Sequence, residues 1–315
     1  MIKVSFLIPA YNASKTIRKC LDSILDSSLK KDEYQIIVWN DGSSDDTVQI
    51  VTKYVDIYNN IKIYSKENRG VAEVRKNLFA LAEGTYIWEC DSDDYLATEN
   101  IEHIVNYAFD NDLEVLSFDY NQIYEEGKIY PVSIKYRHGL YVSFLWNKLY
   151  KTRFLRDNKV VFMGDLYTGD DVIFNCQAYS NAIKTAYLPI RGYYYVYNPL
   201  SLTRDNTRKY KDINSMIHCL DYMMEYRTNS LHKSYWDNYI NKDLLLVINM
   251  VRNYKGEKLP ELTNSLETVI KNILYTTDSR STKIIINYPR ISIFINYFVD
   301  CLRNYCSILY SKIHY

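Results

Sequence analysis

Residues 85–94 read TYIWECDSDD. This stretch begins as a short apolar and aromatic run and ends in the carboxylates of Asp91, Asp93 and Asp94. A short apolar run of this kind is typical of a strand that is covered on both faces in a parallel sheet. The stretch therefore predicts a buried strand that delivers acidic side chains to one edge of a sheet.

The same pattern occurs three more times upstream, each time followed by a helical segment. In parallel sheets ligands bind beyond the carboxyl ends of the strands, and here polar residues at 9–12 and 40–45 follow two of the strands. The alternation predicts a Rossmann-like α/β fold, a mostly parallel sheet flanked by helices, with its site at that edge. The apolar runs lie at residues 4–8, 35–39, 61–64 and 85–90.

The amino-acid composition limits the class of protein and the partners that can be expected for the chain. The 315 residues are 47% hydrophobic and 24% charged, which is typical of a globular chain with a sizeable core. Lys and Arg together number 38, as do Asp and Glu, so whole-chain charge gives no case for a nucleic-acid partner.

The six cysteines are scattered without a CxxC pair, which argues against a zinc knuckle and a disulfide framework. The first apolar run is too short for a signal peptide. We therefore expect a cytoplasmic protein, with the inner face of the cell membrane left open as its place of action.

Strand signals fade after about residue 205 and long helical stretches follow, which predicts two regions. These are an α/β domain at 1–208 and a mainly helical C-terminal region at 209–315. Polar residues interrupt the apolar tail at 283–302, so a membrane-spanning helix is not expected. A role for this region in homodimer formation, acceptor binding or peripheral membrane contact is left open, as is simple packing on the first domain.

Asp91 and Asp93 form a pair of hard oxygen ligands. A Mg or Mn ion that is bound to a diphosphate prefers one or two carboxylate ligands, with phosphate oxygens and water as its other ligands. A cluster of acidic residues at a helix start is the alternative, and the pair alone does not separate the two.

Six segments in order, spacing and residue type make the chain resemble the inverting family 2 glycosyltransferases, which have a GT-A fold and use nucleotide sugars. The resemblance covers about the first hundred residues and resumes twice later. It implies a nucleotide-sugar-binding half at 1–98 and an acceptor and catalytic-base half at 99–208. The segments are IPAYN (8–12), NDGSSDDT (40–47), ENRGVAEVRKN (67–77), EGTYIWECDSDDYL (83–96), WNKLY (146–150) and GDD (169–171).

The resemblance implies that Tyr11 lies against the nucleobase and that Asp41 bonds to it, the base being uracil. An aromatic ring offers a stacking face, and a carboxylate can accept from the imide N–H of uracil. Arg75 is expected to face the nucleotide, with packing for Tyr11 and a solvated helix position for Arg75 as the alternatives. Asn40 stands where the family usually has an acid, which leaves the exact base or ribose contact open. The nucleotide-binding residues implied are Pro9, Tyr11, Asp41, Arg75, Asp91 and Ser92.

The resemblance also assigns the chemistry. Asp93 is expected to be the principal ligand of a Mn or Mg cofactor and Asp171 the general base that takes the acceptor's proton. Trp146 and Asp170 are expected at the acceptor pocket, with core packing for Trp146 and a helix start for the acidic pair as alternatives. Arg204 is a weaker candidate for a phosphate contact.

The function implied is transfer of a sugar from a UDP-sugar to a hydroxyl of a saccharide or lipid-linked saccharide, with inversion, in the synthesis of surface polysaccharide such as capsule, exopolysaccharide or lipopolysaccharide. A sugar-phosphate nucleotidyltransferase would need a glycine-rich basic loop after the first strand, which residues 9–12 are not. A catalytically silent nucleotide- or partner-binding protein remains the alternative. The departure at Asn40 supports that alternative, and the retained carboxylates argue against it.

Overall fold

The structure is a computed structural model that describes residues 1–124, 127–135, 143–198, 206–230 and 232–276. The chain divides into two compact units, Met1–Arg204 and Asp205–Tyr315. The first unit is α/β and the second is helical in its described part. The first contains every residue assigned to the site from the sequence.

The first unit alternates strands and helices through its first hundred residues, as the sequence predicts. Its first seven elements are β1 (Val4–Ala10), α1 (Ile17–Leu25), β2 (Tyr34–Asp41), α2 (Thr47–Val55), β3 (Ile61–Lys66), α3 (Val71–Leu81) and β4 (Tyr86–Glu89). Eight more follow: β5 (Tyr95–Leu96), α4 (Thr98–Asp110), β6 (Val115–Ile123), β7 (Ile129–Val132), β8 (Lys148–Lys151), α5 (Thr152–Asp157), α6 (Asp170–Asn181) and β9 (Thr185–Val196).

All strands of the described chain belong to one sheet in the order β3-β2-β1-β4-β8-β6-β9-β5, with β7 paired to β6. The β3, β2, β1 and β4 strands run parallel, so their carboxyl ends share one edge. The other half is mixed, because β8 runs antiparallel to both β4 and β6, while β6 and β9 pair in parallel. Since β8 reverses direction between two strands, the carboxyl ends of β6 and β9 lie at the same edge as that of β4.

The core explains why the first strands read as continuous apolar runs. Every residue of β2 is buried, and β1 is buried except at Pro9. A strand that is covered on both faces has no solvent-facing positions, so its sequence does not alternate between apolar and polar residues. The polar residues then collect beyond the strand ends, where the site lies.

Gly84 shows how tightly β4 is brought against β1. A Cβ atom at this position would lie 2.6 Å from both the backbone nitrogen of Ser5 and the backbone carbon of Val4. Its N–H donates to the Ser5 Oγ at 2.8 Å. The glycine therefore permits the close approach that sets the register of the strand bearing the acidic residues.

The described part of the second unit consists of a short 3-10 turn at Asn206–Arg208 and the helices α7 (Lys209–Asn229), α8 (Lys233–Asn253) and α9 (Leu259–Thr276). The buried side chains of α7 include Met216, Leu220 and Met223, and Arg227 pairs with Asp237 of α8. In the described residues we find no helix of the length and apolarity needed to cross a membrane. The apolar tail at 283–302 lies outside the described residues.

Candidate functional site

The start of α3 is held by Asp41, which ends β2. Its Oδ1 accepts from the backbone N–H of Arg69 at 2.9 Å and its Oδ2 from that of Gly70 at 3.1 Å. Gly70 has φ of 91°, a conformation that favours glycine, and this turns both N–H groups toward the carboxylate. Each oxygen retains a lone pair, so Asp41 can still accept a further hydrogen bond from a ligand.

An open groove lies beside Asp41. Charged groups from the end of β3 and from α3 line it, together with the indole of Trp39. The lining of the groove includes Trp39, Asp41, Lys66, Arg69, Glu73 and Asn77.

Arg75, in the middle of α3, connects parts of the chain that are far apart in sequence. Its Nε donates to Glu89 Oε1 at 2.6 Å and one terminal nitrogen donates to Asp170 Oδ2 at 2.9 Å. The other terminal nitrogen lies 3.6 Å from Asp91 Oδ1. The guanidinium predicted to face the nucleotide therefore joins the end of β4 to the first turn of α6.

Negative charge exceeds positive charge around this guanidinium. Burial would lower the pKa of Arg75, but Glu89, Asp170 and Asp91 raise it well above its usual value. Burial raises the pKa of Glu89 to about 8 against the opposing effect of Arg75. Burial, together with the charges of Asp93 and Asp170, raises the pKa of Asp91 to about 6. The cluster would be stabilised by additional positive charge.

The acidic turn after β4 is fastened to β9. Tyr193 donates its hydroxyl to Asp94 Oδ2 at 3.0 Å and accepts the backbone N–H of Asp91 at 3.0 Å. Val196 N–H donates to Asp94 Oδ1 at 2.7 Å. Asp94 is thus a structural anchor, which leaves Asp91 and Asp93 as the partly exposed carboxylates of the turn, with Ser92 between them.

Asp93 has a contact from the end of β9, where Asn198 Nδ2 donates to its Oδ2 at 2.9 Å. In the described residues no group of three or more His, Cys, Asp or Glu side chains forms a closed metal cage. Two partly exposed carboxylates beside excess negative charge fit a divalent cation that takes its other ligands from a diphosphate and water. Asp93 and Asp91 are the residues that would hold it.

Asp171, beside Asp170 in the first turn of α6, lies in the same charge cluster. Burial and the charge of Asp170 raise its pKa to about 7, whereas Arg75 and Lys148 lower it. The backbone N–H of Val172 donates to its Oδ1 at 2.8 Å. A carboxyl group with a pKa near neutrality is suited to accept a proton during a reaction.

Lys148 lies behind Asp171 and is 1% exposed. Its ammonium donates to Asn147 Oδ1 at 2.9 Å and to the backbone oxygen of Phe144. Burial lowers its pKa to about 7, while the charge of Asp171 raises it. Lys148 is thus a second cation that acts on Asp171.

The loops after β1 and β2 are bonded to each other. Asn12 N–H donates to Ser43 Oγ at 2.9 Å, and Asn12 Oδ1 accepts from Ser44 N–H at 2.9 Å. Tyr11 at this junction is 51% exposed, so its ring is available to a ligand, and Pro9 is half-buried. The resemblance implies nucleotide contacts for both residues.

Asn40 has a structural explanation. Its side chain is buried, and its Oδ1 accepts from Ser43 N–H at 3.1 Å. Its Nδ2 donates to Ser65 Oγ at 3.4 Å. The amide thus stabilises the turn that carries Asp41, and the departure from an acid at this position does not disrupt the site.

Trp146 is a packing residue in this structure. It is 3% exposed and its ring stacks on Phe144, Tyr193 and Tyr195 at centroid distances of 4.6, 4.5 and 5.4 Å. The contact with an acceptor sugar predicted from the sequence would require this stack to open.

The sequence reasoning missed Glu89 and Lys148. Each is an ionisable residue inside an otherwise apolar stretch, and such residues are rarely buried unless they are paired. That signal could have identified both as members of a charge cluster. Arg204 lies outside the described residues.

The mixed sheet, with acidic residues beyond β4 and at the start of α6, defines a GT-A type of α/β fold. The solved structure of Staphylococcus aureus TarS residues 1–349 in complex with UDP-GlcNAc has this architecture, with a TM-score of 0.75 at 22% identity over 96% of this chain and 92% of that one. The mannosyltransferase PcManGT of Pyrobaculum calidifontis, solved with GDP-Man and Mn²⁺, superposes with a TM-score of 0.55 at 12% identity over 94% of this chain and 81% of that chain.

Residues 5–182 match the model of glycosyl transferase family 2, and the chain belongs to this family. The poly(ribitol-phosphate) β-N-acetylglucosaminyltransferase TarS of Staphylococcus aureus is 30% identical over 206 residues, which cover 62% of this chain and 35% of that protein. The glycosyltransferase EpsH of Bacillus subtilis, described as putative, is 29% identical over 208 residues, 61% of this chain and 60% of that protein. The chain thus spans about a third of the length of the poly(ribitol-phosphate) relatives.

Proposed function

We propose that this chain transfers a sugar from a UDP-sugar to a hydroxyl group of a saccharide acceptor, with inversion at the anomeric carbon, in the synthesis of bacterial surface polysaccharide. The observation that carries the proposal is the cluster in which Arg75 joins Asp91 of the acidic turn to Asp170, the neighbour of Asp171. The cluster brings two carboxylates that could hold a diphosphate-bound metal ion, and a carboxyl group with a pKa of about 7, to one edge of the sheet.

Donor binding follows from the loops after β1 and β2. Tyr11 offers an exposed ring face, and Asp41 offers a carboxylate that can accept from the imide of uracil. The solved complexes of TarS with UDP and with UDP-GlcNAc support a uridine nucleotide as the donor nucleotide of this chain. A Mn or Mg ion held by Asp93, with Asp91 beside it, would supply charge neutralisation to the leaving diphosphate.

In the transfer step the acceptor oxygen forms a bond to the anomeric carbon as the bond from that carbon to the diphosphate oxygen breaks. The acceptor hydroxyl proton passes to the carboxylate of Asp171, and UDP leaves with the bonding electrons. Because the base acts on the face of the sugar opposite the leaving group, the configuration inverts. Arg75 holds Asp170 and thereby fixes the helix turn that presents Asp171.

The acceptor class is supported by the names of the relatives, which include poly(ribitol-phosphate) transferases and chondroitin synthases. A polymer or a lipid-linked precursor of such a polymer is the acceptor that we propose.

The test measures the release of UDP from a panel of UDP-sugars, first in the presence of Mn and then after a chelator is added. We expect release with at least one donor and its loss with chelator. Asp171→Asn should bind UDP as the unchanged protein does and lose turnover by about a hundredfold or more. Asp157→Asn, at an exposed position on α5, is the matched control and should keep full activity.

Full turnover in Asp171→Asn would remove the base assignment. Nucleotide binding without any turnover across the panel would favour the silent binding protein instead.

A further inference from the structure

One face of the sheet carries a row of aromatic side chains along β6 and β9. Tyr120 pairs with Tyr193, and Gln122 pairs with Tyr195, so these four side chains point to the same face. The next side chain on that face follows two residues later in each chain segment. The hydrogen bond of 2.7 Å from Tyr197 N–H to the Ile123 backbone oxygen continues the pairing to the strand ends. The row therefore extends to Tyr124, which directly follows β6, and to Tyr197, which directly follows β9.

The inner end of this row is covered. Trp146 and Phe144 pack on Tyr120 at centroid distances of 4.8 and 6.1 Å, and Trp146 also stacks on Tyr193. These rings form part of the core of the first unit. They therefore fix the orientation of the aromatic face at the point where it reaches the surface.

The outer end is open to solvent. Tyr124 and Tyr130 are each 48% exposed, and their rings meet edge to face with centroids 5.4 Å apart. Tyr197, which is partly exposed, stacks on Tyr124 at 5.9 Å. Tyr130 pairs with Gln122 across β6 and β7, so it points to the same face. We call Tyr124, Tyr130 and Tyr197 the outer tyrosines.

The outer tyrosines lie beside the proposed reaction centre. Asn198, next to Tyr197, donates to the Asp93 carboxylate at 2.9 Å. On the other side, Asn175 of α6 donates to the backbone oxygen of Ser143 at 2.6 Å, which joins the segment bearing Phe144 to the helix of Asp171. An acceptor seated at Asp171 could therefore extend across this aromatic face.

The chemistry of the face indicates what it binds. Aromatic faces are electron-rich, and the C–H groups on one side of a pyranose ring are positively polarised, so the two stack. A phosphate polymer would instead need Arg and Lys side chains. From Tyr120 to Val132 the sequence has one lysine, Lys128, and two glutamates, Glu125 and Glu126, so the segment brings no net positive charge.

We propose that the outer tyrosines form an acceptor subsite that stacks on pyranose rings of a saccharide chain, so that the acceptor is a ring sugar polymer and not a polyol phosphate. This inference rests on the proposed transferase function and specifies its acceptor.

Saturation-transfer NMR on the intact chain tests binding without requiring turnover. The probes are hexasaccharides of β-linked glucose, N-acetylglucosamine and galactose, an alternating uronic acid and hexosamine hexasaccharide, and poly(ribitol phosphate). We expect at least one hexasaccharide to receive saturation from aromatic protons. Tyr124→Ala with Tyr130→Ala should weaken its binding about tenfold or more.

Two further variants separate stacking from general damage to the β6–β7 hairpin. Ile129→Ala changes an equally exposed side chain that pairs with Ile123 and so points to the opposite face, and it should leave binding unchanged. Tyr124→Phe keeps the ring and should bind as the unchanged protein does. In a transfer assay the double variant should raise the acceptor KM with little effect on UDP-sugar hydrolysis.

Equal hexasaccharide binding by the double variant and the unchanged protein would overturn the proposal. So would binding of poly(ribitol phosphate) alone, or of no probe. If the double variant loses hexasaccharide binding but no UDP-sugar is ever turned over, the subsite stands and the transferase proposal fails.

Discussion

Arg75→Met is the substitution that most directly tests the charge cluster. The guanidinium pairs with Glu89 and Asp170, whose side chains are 1% and 4% exposed. Methionine has a similar length but leaves both carboxyl groups without their cation. Removing one partner of a buried ion pair typically costs about 3–5 kcal/mol, and we expect a loss of that size in the free energy of unfolding near pH 9, above the pKa of about 8 of Glu89.

The loss should depend on pH, and its sign follows from the pKa of Glu89. Burial raises this pKa to about 8, and Arg75 opposes the rise, so the substitution raises it further. A carboxyl group whose folded pKa exceeds its unfolded value opposes folding once it must ionise. Between the unfolded pKa of about 4 and the folded pKa of about 8, this penalty grows equally in the unchanged protein and in the variant, and above about pH 8 it continues to grow only in the variant. The deficit of Arg75→Met should therefore be smallest near pH 5 and largest near pH 9.

Urea unfolding followed by tryptophan fluorescence measures this deficit. Because the chain has two compact units, the experiment is done in a Trp236→Phe background, which leaves Trp39, Trp88 and Trp146 of the first unit as reporters. Arg153→Met is the matched control, since Arg153 is 86% exposed and pairs only with Asp157 at 3.3 Å among the described ion pairs. Its expected cost is about 0.5 kcal/mol or less at every pH.

A deficit of Arg75→Met no larger than that of Arg153→Met would refute the reasoning. So would a deficit that is the same at pH 5 and pH 9, because the buried carboxyl groups would then not be the source of the cost.

Three further predictions concern the same unit. Lys148 lowers the pKa of Asp171, which is about 7 and sets the pH at which the transfer rate rises. Lys148→Met should therefore shift that rise to higher pH, and an unmoved midpoint in a rate–pH profile would contradict this. Asp41→Asn leaves one acceptor oxygen for two backbone N–H groups and should weaken UDP binding about tenfold by calorimetry, and unchanged affinity would place the nucleotide elsewhere. Gly84→Ala puts a methyl group 2.6 Å from the backbone of β1 and should cost about 1–3 kcal/mol in urea unfolding; an unchanged midpoint would show that β4 can move away.

The parallel half of the fold could be predicted from sequence because its signal is local. The strands β1, β2, β3 and β4 appear as apolar runs that end in polar residues. The second half could not be predicted in this way. The β8 strand is only Lys148–Lys151 and runs antiparallel, and its position between β4 and β6 depends on pairings far along the chain.

The site was predictable as a set of residue types but not as a set of contacts. The motifs identified Arg75, Asp91 and Asp170, yet nothing in their spacing indicates that the guanidinium bonds to protein carboxylates. Its contact with Asp170 joins residues 95 positions apart. The role of Asp171 as base and the acceptor contact of Trp146 remain predictions, since both concern a bound ligand.

The contacts of α3 connect donor recognition to the position of the base. Asp41, at the proposed base-binding end, fixes the first N–H groups of the helix, and Arg75, further along it, fixes Asp170 at 2.9 Å. A ligand that binds to Asp41 therefore acts on the same rigid helix that positions the turn carrying Asp171. Because the helix is bonded at both points, a donor that fails to engage Asp41 should also leave Asp171 less well placed. Discrimination among nucleotides should then appear in kcat as well as in KM.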